Sequence, residues 1–241
     1  MEIAILAAFG AMFAWGIGDF LIQKSVRKIG VVESLAMIGL IGGIGLLPFI
    51  WNDLNALFLP ENTMLLAALG ALVFVAATLN FYALKIGKLS VIEFVMEIEL
   101  PITIFLGVLF FGEILSFEQW LIIGLAFVGI MLISMDLNFK KNHFLEEGVL
   151  IAGACAVLAG VINFLTASAA RNISPLLAVW APWMVIGIVS LLYLIHKGQF
   201  STLVKNVRMH KELVLTTGII DTLAWIFFAV AVTGTLLSIT M

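Results

Sequence analysis

Eight apolar runs, each long enough to cross a lipid bilayer, take up about two thirds of this chain of 241 residues. A transmembrane helix needs about 20 largely apolar residues to cover ~30 Å of hydrocarbon. Because no soluble core of this size could bury so much apolar surface, the runs predict an all-α, polytopic membrane protein. The predicted spans are residues 3–23, 32–51, 63–84, 91–111, 118–135, 147–168, 175–195 and 213–233.

The connections between these spans are too short to hold a catalytic or ligand-binding domain. Charged residues make up only 11% of the chain and form no basic stripe, which argues against a nucleic acid partner. The sequence has no motif for a metal, a catalytic nucleophile or a phosphate, so we expect neither a cofactor nor an enzyme. The expected partners are the lipid bilayer and a small-molecule solute bound between the helices.

Lysine and arginine are distributed very unevenly between the two sets of connections. The odd connections carry 11 of them, whereas the even connections and the N-terminus carry only Arg171. Because short cytoplasmic loops are enriched in these residues, the asymmetry predicts that the N-terminus lies outside the cell. The expected location is the cytoplasmic membrane.

This orientation can be tested with reporter fusions. A reporter fused after Met1 is expected to be extracellular, and a reporter inserted at Lys140 and Lys141 is expected to be cytoplasmic. A cytoplasmic signal from the Met1 fusion would reverse the predicted orientation.

A weak internal repeat relates the two ends of the chain. Residues 15–21 resemble residues 159–165 at an offset of 144, and the same offset pairs Arg27 with Arg171. At an offset of 148, residues 70, 83 and 90 match residues 218, 231 and 238 in identity. The repeat predicts a five-helix unit over residues 1–137 and an incomplete, three-helix second copy over residues 138–241. An odd number of spans inverts the second copy, as in many secondary transporters.

Predicted spans four and five have no counterpart in the second copy before Met241. We therefore expect either an eight-span variant or the loss of two helices. A chain of this length is expected to be unstable alone or to form a homo-oligomer, since faces that would pack against the absent helices would meet lipid or another subunit.

Three segments in the first half carry a further pattern. They are FAWG at residues 13–16, FYALKIGKLS at residues 81–90, and FFGEILS at residues 110–116, which is followed by QWL at 119–121. These segments resemble the EamA-like branch of the drug/metabolite transporter superfamily. The resemblance implies ten spans in two inverted five-helix repeats, transport of small metabolites or drugs, and a cytoplasmic N-terminus. The eight predicted spans and the charge asymmetry differ from that layout.

Predicted span four contains three glutamates and a proline. Glu93 and Glu97 lie about 40° apart on one helix face, whereas Glu99 points about 200° away from Glu97. Pro101 has no N–H to donate to the carbonyl of Glu97, so a bend is predicted beside the carboxylates.

Ionisable groups at bilayer depth are costly and normally face a cavity or a partner. Glu97 is the first candidate for a proton-linked or cation-linked site, and Glu99 is the second. In the structural alternative, Glu93 pairs with Lys85 or Lys88 near the interface and Glu97 bonds to other helices.

Further candidates for the transport cavity lie in the other spans. Asp19 is either a ligand for a cationic group or a partner of Lys24. Four tryptophans are candidates for stacking against an aromatic or cationic solute, with a place in the interfacial belt as the alternative: Trp15, Trp180, Trp183 and Trp225. Trp15 lies in the middle of its span, which does not suit the belt. The remaining candidates are Asn163, the repeat mate of Asp19, together with the weaker Asn80 and Asp221. The alternative for Asp221 is an interhelical hydrogen bond.

Two functions fit these features. The first is a secondary transporter that moves a small organic metabolite or drug by alternating access, with Glu97 as the candidate for proton coupling. The alternative is a non-transporting truncated paralogue, or a subunit that needs a partner chain. The acidic candidates favour cationic or zwitterionic solutes.

Overall fold

The computed structural model describes residues 2–134 and 148–240, and these residues form helices without any strand. A 3-10 helix, Leu54–Phe58, follows α2. The α-helices are α1 (Glu2–Lys28), α2 (Val31–Ile50), α3 (Pro60–Ile86), α4 (Leu89–Met96), α5 (Glu99–Phe111), α6 (Phe117–Ser134), α7 (Val149–Asn172), α8 (Pro175–His196), α9 (Phe200–Met209), α10 (Lys211–Gly234) and α11 (Leu237–Thr240).

The helices confirm the prediction of an all-α membrane protein with about eight spans. In the described part of the chain, seven segments are long and apolar enough to cross a membrane, with α4 and α5 counted as one segment. Helix α6 covers the predicted span 118–135 as far as Ser134. The predicted repeat boundary at 137 and the lysines at 140 and 141 lie outside the described residues.

One predicted connection contains additional structure. The region between spans seven and eight, expected as a loop, holds the ten-residue helix α9. Its Leu203 is buried in a small apolar cluster with Ala36 of α2 and Leu194 of α8. With ten residues, α9 is too short to be recognised as a membrane-spanning run.

Close helix packing fixes the centre of the bundle. Helix α1 packs against α10, α2 against α8, and α3 against α7. The backbones of α2 and α8 approach closely at Gly39 and Gly187, where a Cβ added to Gly39 would lie 2.3 Å from the backbone nitrogen of Gly187. Small residues permit such contacts between membrane helices. Large apolar side chains on the outside, such as Phe13 and Phe20, are more than half exposed and suit contact with lipid.

The helix boundaries recur at the two offsets found in the sequence. At an offset of 144, the last residue of α1 corresponds to the last residue of α7, and the first residue of α2 to the first of α8. At an offset of 148, the end of α3 corresponds to the end of α10, and the start of α4 to the start of α11. Equivalent sequence positions therefore begin and end equivalent helices.

Arg27 and Arg171 lie in the last turns of α1 and α7 and make corresponding contacts. Arg27 donates a hydrogen bond to the carbonyl of Gly87, directly after α3. Arg171 donates to the carbonyls of Val232 at 2.7 Å and Thr235 at 2.9 Å, at the end of α10. Each arginine thus ties the end of its own helix to the end of another by satisfying carbonyls that helix geometry leaves open.

Arg171 has a further partner in Glu113. Its Nη2 lies 3.3 Å from Oε1 of Glu113, whose side chain is 3% exposed. The same oxygen accepts a hydrogen bond from the backbone N–H of Leu237 at 2.6 Å. The Arg171 guanidinium also lies 4.3 Å from the centre of the Phe111 ring. This cluster joins the ends of α5, α7, α10 and α11.

Removing this arginine should destabilise the fold. Arg171→Gln is expected to lower the free energy of unfolding by roughly 3 kcal/mol, because it removes the positive charge beside the buried Glu113 carboxylate and the hydrogen bonds to the end of α10. Thermal unfolding followed by tryptophan fluorescence in detergent measures the effect. The control is Arg208→Gln, since Arg208 is exposed on α9. Equal melting temperatures for the two variants would contradict this role.

Candidate functional site

A cavity of about 240 Å³ lies in the middle of the bundle, between both halves of the chain. Its polar wall consists of acidic and amide side chains, and its aromatic wall consists mainly of tryptophans. The acidic and amide residues are Asp19, Asn80, Glu93, Glu97, Glu99, Asn163 and Asp221, and the tryptophans are Trp15, Trp183 and Trp225. The lining that the structure describes contains no Lys, Arg or His.

The fourth span is broken where it meets the cavity. Helix α4 ends at Met96 and α5 begins at Glu99, which leaves Glu97 and Ile98 in a turn. The backbone of Glu97 accepts a hydrogen bond from Leu100 at 3.1 Å, one residue closer than an α-helix requires. Because the ring nitrogen of Pro101 carries no hydrogen, the regular bond to Glu97 cannot form. The predicted bend beside the carboxylates is confirmed.

The structure brings the acidic and amide candidates from the sequence to this one cavity, whereas Trp180 is outside its lining and donates its indole N–H to the carbonyl of Gly43 at 2.9 Å. The six primary candidates, Glu97, Glu99, Asp19, Asn163, Asn80 and Trp15, all line it. Glu93 and Asp221, which the sequence ranked lower, line it as well. Their roles in binding or coupling stay predictions.

Asn163 of α7 holds the beginning of α5 in place. Its side chain donates a hydrogen bond to Oγ1 of Thr103 at 3.4 Å, and it lies close enough to the carboxylate of Glu99 to interact with it. The Thr103 hydroxyl in turn donates to the carbonyl of Gly160 at 3.5 Å. Glu99 is therefore oriented by a neighbouring amide.

Several other polar groups in the cavity have no partner among the residues that the structure describes. Asp221 is only 7% exposed, yet its carboxylate accepts no hydrogen bond and forms no ion pair there. One oxygen of Glu93 and the side-chain oxygen of Asn80 are also buried without a partner. Buried polar groups are normally hydrogen-bonded, so each exception requires an explanation.

The carboxylates of Asp19 and Glu97 also face the cavity rather than a basic side chain. Lys24, the alternative partner of Asp19, is exposed, and no ion pair joins the two residues. Asp19 lies close enough to Glu97 and Asp221 for their charges to interact. Helices α1, α10 and the α4–α5 turn therefore direct like charges at one space, an arrangement suited to binding protons or a cationic group.

The tryptophans form a cluster that sequence reasoning did not assemble. The ring centres of Trp15 and Trp225 are 5.5 Å apart at an interplanar angle of 86°, and those of Trp183 and Trp225 are 5.7 Å apart at 68°. Trp183 donates its indole N–H to Oγ1 of Thr222 at 3.0 Å. Phe228 packs against both Trp15 and Trp225. All three tryptophans were candidates from the sequence, and only Trp15 was favoured by a position in the middle of its span.

The acidic groups are not arranged as a metal centre. Within the two described ranges, no three His, Cys, Asp or Glu side chains lie close enough together to hold a metal ion.

Two comparisons with known proteins find similarity to this chain. The model of the EamA-like transporter family matches residues 2–135. An uncharacterized protein of Methanocaldococcus jannaschii is 27% identical over 137 residues, which cover 56% of this chain and 99% of that protein.

Proposed function

Because this chain belongs to the EamA-like transporter family, we propose that it is a secondary transporter of a small organic solute in the cytoplasmic membrane, with Glu97 coupling protons to solute movement. The family indicates a membrane transporter of small solutes. The solute, the proton coupling and the alternating-access mechanism are our inference from the cavity.

The broken helix at Glu97 carries this proposal. Discontinuous helices at the centre of a bundle are typical of transporter binding sites, because irregular backbone is tolerated there only where it lines a cavity. Glu97 lies in this turn, beside the charges of Asp19 and Glu99. A carboxylate in such a place can take up a proton in one state of the transporter and release it in another.

We also propose that residues 1–137 and 138–241 are inverted repeats that move against each other around the cavity. The recurring helix boundaries and the corresponding contacts of Arg27 and Arg171 support this organisation. The relative from Methanocaldococcus jannaschii supports it too, because 99% of that protein aligns over 137 residues, which is about the length of one proposed five-helix repeat. Residues from both proposed repeats line the cavity, as alternating access requires.

Transport can be tested in proteoliposomes loaded with a pH-sensitive dye. The panel of external solutes contains choline, arginine, glycine betaine and glucose, each added under an imposed pH gradient. We expect at least one solute to change the internal pH in vesicles with the protein and not in protein-free vesicles. No solute-dependent change for any member of the panel would count against proton-coupled transport.

One observation favours the second candidate function, a membrane protein that acts with a partner chain. Gly160 on α7 is covered, since a Cβ added there would lie 2.6 Å from the side chain of Ile102 on α5. A Cβ added to its repeat mate Gly16 on α1 would have no atom of the described residues within 4 Å. The neighbouring Phe9 and Phe13 are 55% and 66% exposed, so this face is free to contact lipid or a second subunit.

Light scattering of the protein in mild detergent separates the two candidates. The partner hypothesis predicts a dimer or larger assembly, and it predicts no transport by the monomer. A stable monomer that transports solute would contradict it.

A further inference from the structure

We propose that the cavity selects small organic cations, with the cationic group held between the tryptophans and the carboxylates of α1 and α10. This inference rests on the proposed function, in that it names the class of the transported solute. The acidic residues in the sequence favoured cationic or zwitterionic solutes alike. This proposal goes further, because it excludes zwitterions and neutral molecules.

The charges of the lining provide the first argument. Five carboxyl groups line the cavity, and no basic side chain among the described residues opposes them there. An anionic solute, or the carboxylate of an amino acid, would meet only like charges and would bind poorly. A cation would meet opposite charges in a region of low dielectric constant, where attraction is strong.

The unpartnered groups provide the second argument, which is independent of the number of charges. Asp221 is almost completely buried, and in the part of the chain that the structure covers its carboxylate has no hydrogen-bond donor. Since a buried carboxylate without a donor is costly, a bound cation is the natural partner for it. The buried oxygens of Glu93 and Asn80 are likewise acceptors without donors.

The aromatic wall provides the third argument. Trp15 and Trp225 meet edge to face, and Trp183 meets Trp225 in the same manner. These three rings come from three helices and meet at steep angles, so together they can pack around a compact ammonium group. Ring faces attract cations within about 6 Å, and tryptophan does so most strongly. The hydrogen bond from Trp183 to Thr222 fixes one wall of this corner before a ligand arrives.

Sequence spacing brings the two kinds of group to the same level of the bundle. Trp15 and Asp19 are four residues apart on α1, and Asp221 and Trp225 are four residues apart on α10. Residues at this spacing lie on one helix face. Because α1 packs against α10 and the two tryptophans are in contact, each helix presents one aromatic ring and one carboxylate to the cavity.

The cavity volume limits the size of the cation. About 240 Å³ is slightly below the range of ~300–1,000 Å³ that is usual for sites of drug-sized ligands. It corresponds to roughly eight water molecules at ~30 Å³ each. The expected ligands are therefore compact ammonium compounds about the size of choline.

Binding to the purified full chain in lipid nanodiscs tests the proposal without requiring transport. The cationic probes are choline and n-butylammonium. The neutral probe is 3,3-dimethyl-1-butanol, in which carbon replaces the ammonium nitrogen of choline, and the zwitterionic probe is glycine betaine. Calorimetry is expected to show saturable binding of at least one cation, and at least tenfold weaker binding of both other probes. Saturation by neither cation, or equal binding of the neutral or zwitterionic probe, would overturn the proposal.

Two variants locate the binding. Asp221→Asn keeps the shape of the side chain and removes its charge, and Trp225→Leu removes one aromatic wall. Each is expected to weaken cation binding at least tenfold, whereas Trp225→Phe should restore part of it. The control is Trp51→Leu, since Trp51 is 67% exposed at the end of α2. Unchanged cation binding in folded Asp221→Asn and Trp225→Leu would place the ligand elsewhere.

The outcome separates this inference from the proposed function. Cation binding without any solute-dependent proton movement would reject proton-coupled transport and keep the cation site. Proton movement driven by glucose or glycine betaine, together with no cation binding, would reject the cation site and keep proton-coupled transport.

Discussion

Replacing Glu97 by Gln is expected to abolish solute-dependent proton movement while the protein remains folded and inserted. The substitution keeps the size of the side chain and its capacity for hydrogen bonds but removes the group that can exchange a proton. Internal pH in dye-loaded proteoliposomes should respond to solute no more than in protein-free vesicles. Exchange of labelled solute at equal pH on both sides should continue, because the cavity itself is retained.

The matched control is Glu118→Gln, since Glu118 is an exposed glutamate in the first turn of α6. It should leave both proton movement and exchange unchanged. If Glu97→Gln retains full proton movement, the carboxylate has a structural role and the coupling group lies elsewhere in the cavity. Glu93→Gln is expected to have a smaller effect than Glu97→Gln, since Glu93 lies in the regular helix α4 rather than in the turn.

Adding a single methyl group at Gly39 should produce the largest loss of stability. The new Cβ would lie 2.3 Å from the backbone nitrogen of Gly187 and 2.6 Å from the carbonyl oxygen of Trp183. Backbone atoms cannot rotate away as a side chain can, so α2 and α8 would have to separate. Overpacking of this kind costs about 3 kcal/mol or more, so we expect Gly39→Ala to lower the melting temperature by roughly 10 °C.

Helix α2 offers a control for this substitution. Gly45 lies on the same helix with nothing within 4 Å of an added Cβ. Gly45→Ala should leave the melting temperature unchanged or slightly higher, because alanine has the better helix propensity. Equal destabilisation by both variants would show that the effect comes from the helix itself and not from the contact with α8.

The sequence predicted the spans because length and hydropathy alone determine them. It also predicted the polar side of the cavity, since carboxylates such as Glu97 and Asp19 have few acceptable places within a membrane. The acidic residues could be ranked only by their position along each span. Such a ranking could not take account of the burial of Asp221, which depends on how α10 packs against α1.

The sequence named the tryptophans of the aromatic side as candidates but could not predict their contacts with one another. Trp183 and Trp225 are 42 positions apart on different helices, and their contact depends on helix rotation rather than on spacing. The ion pair of Arg171 with Glu113 also joins distant positions. In each case the sequence carries the residue type, whereas tertiary packing selects the partner.

The contacts of Arg27 and Arg171 have a consequence for the ancestry of the chain. Under the proposed duplication and the predicted orientation, the two arginines descend from one residue and now lie on opposite sides of the membrane. Selection for correct insertion would have removed surplus lysines from the external loops of the inverted copy. Under the same proposal, Arg171 would be retained because its charge is engaged by carbonyl groups and by Glu113. On this proposal, the one basic residue that departs from the charge asymmetry, Arg171, marks the helix junction inherited from the ancestral repeat.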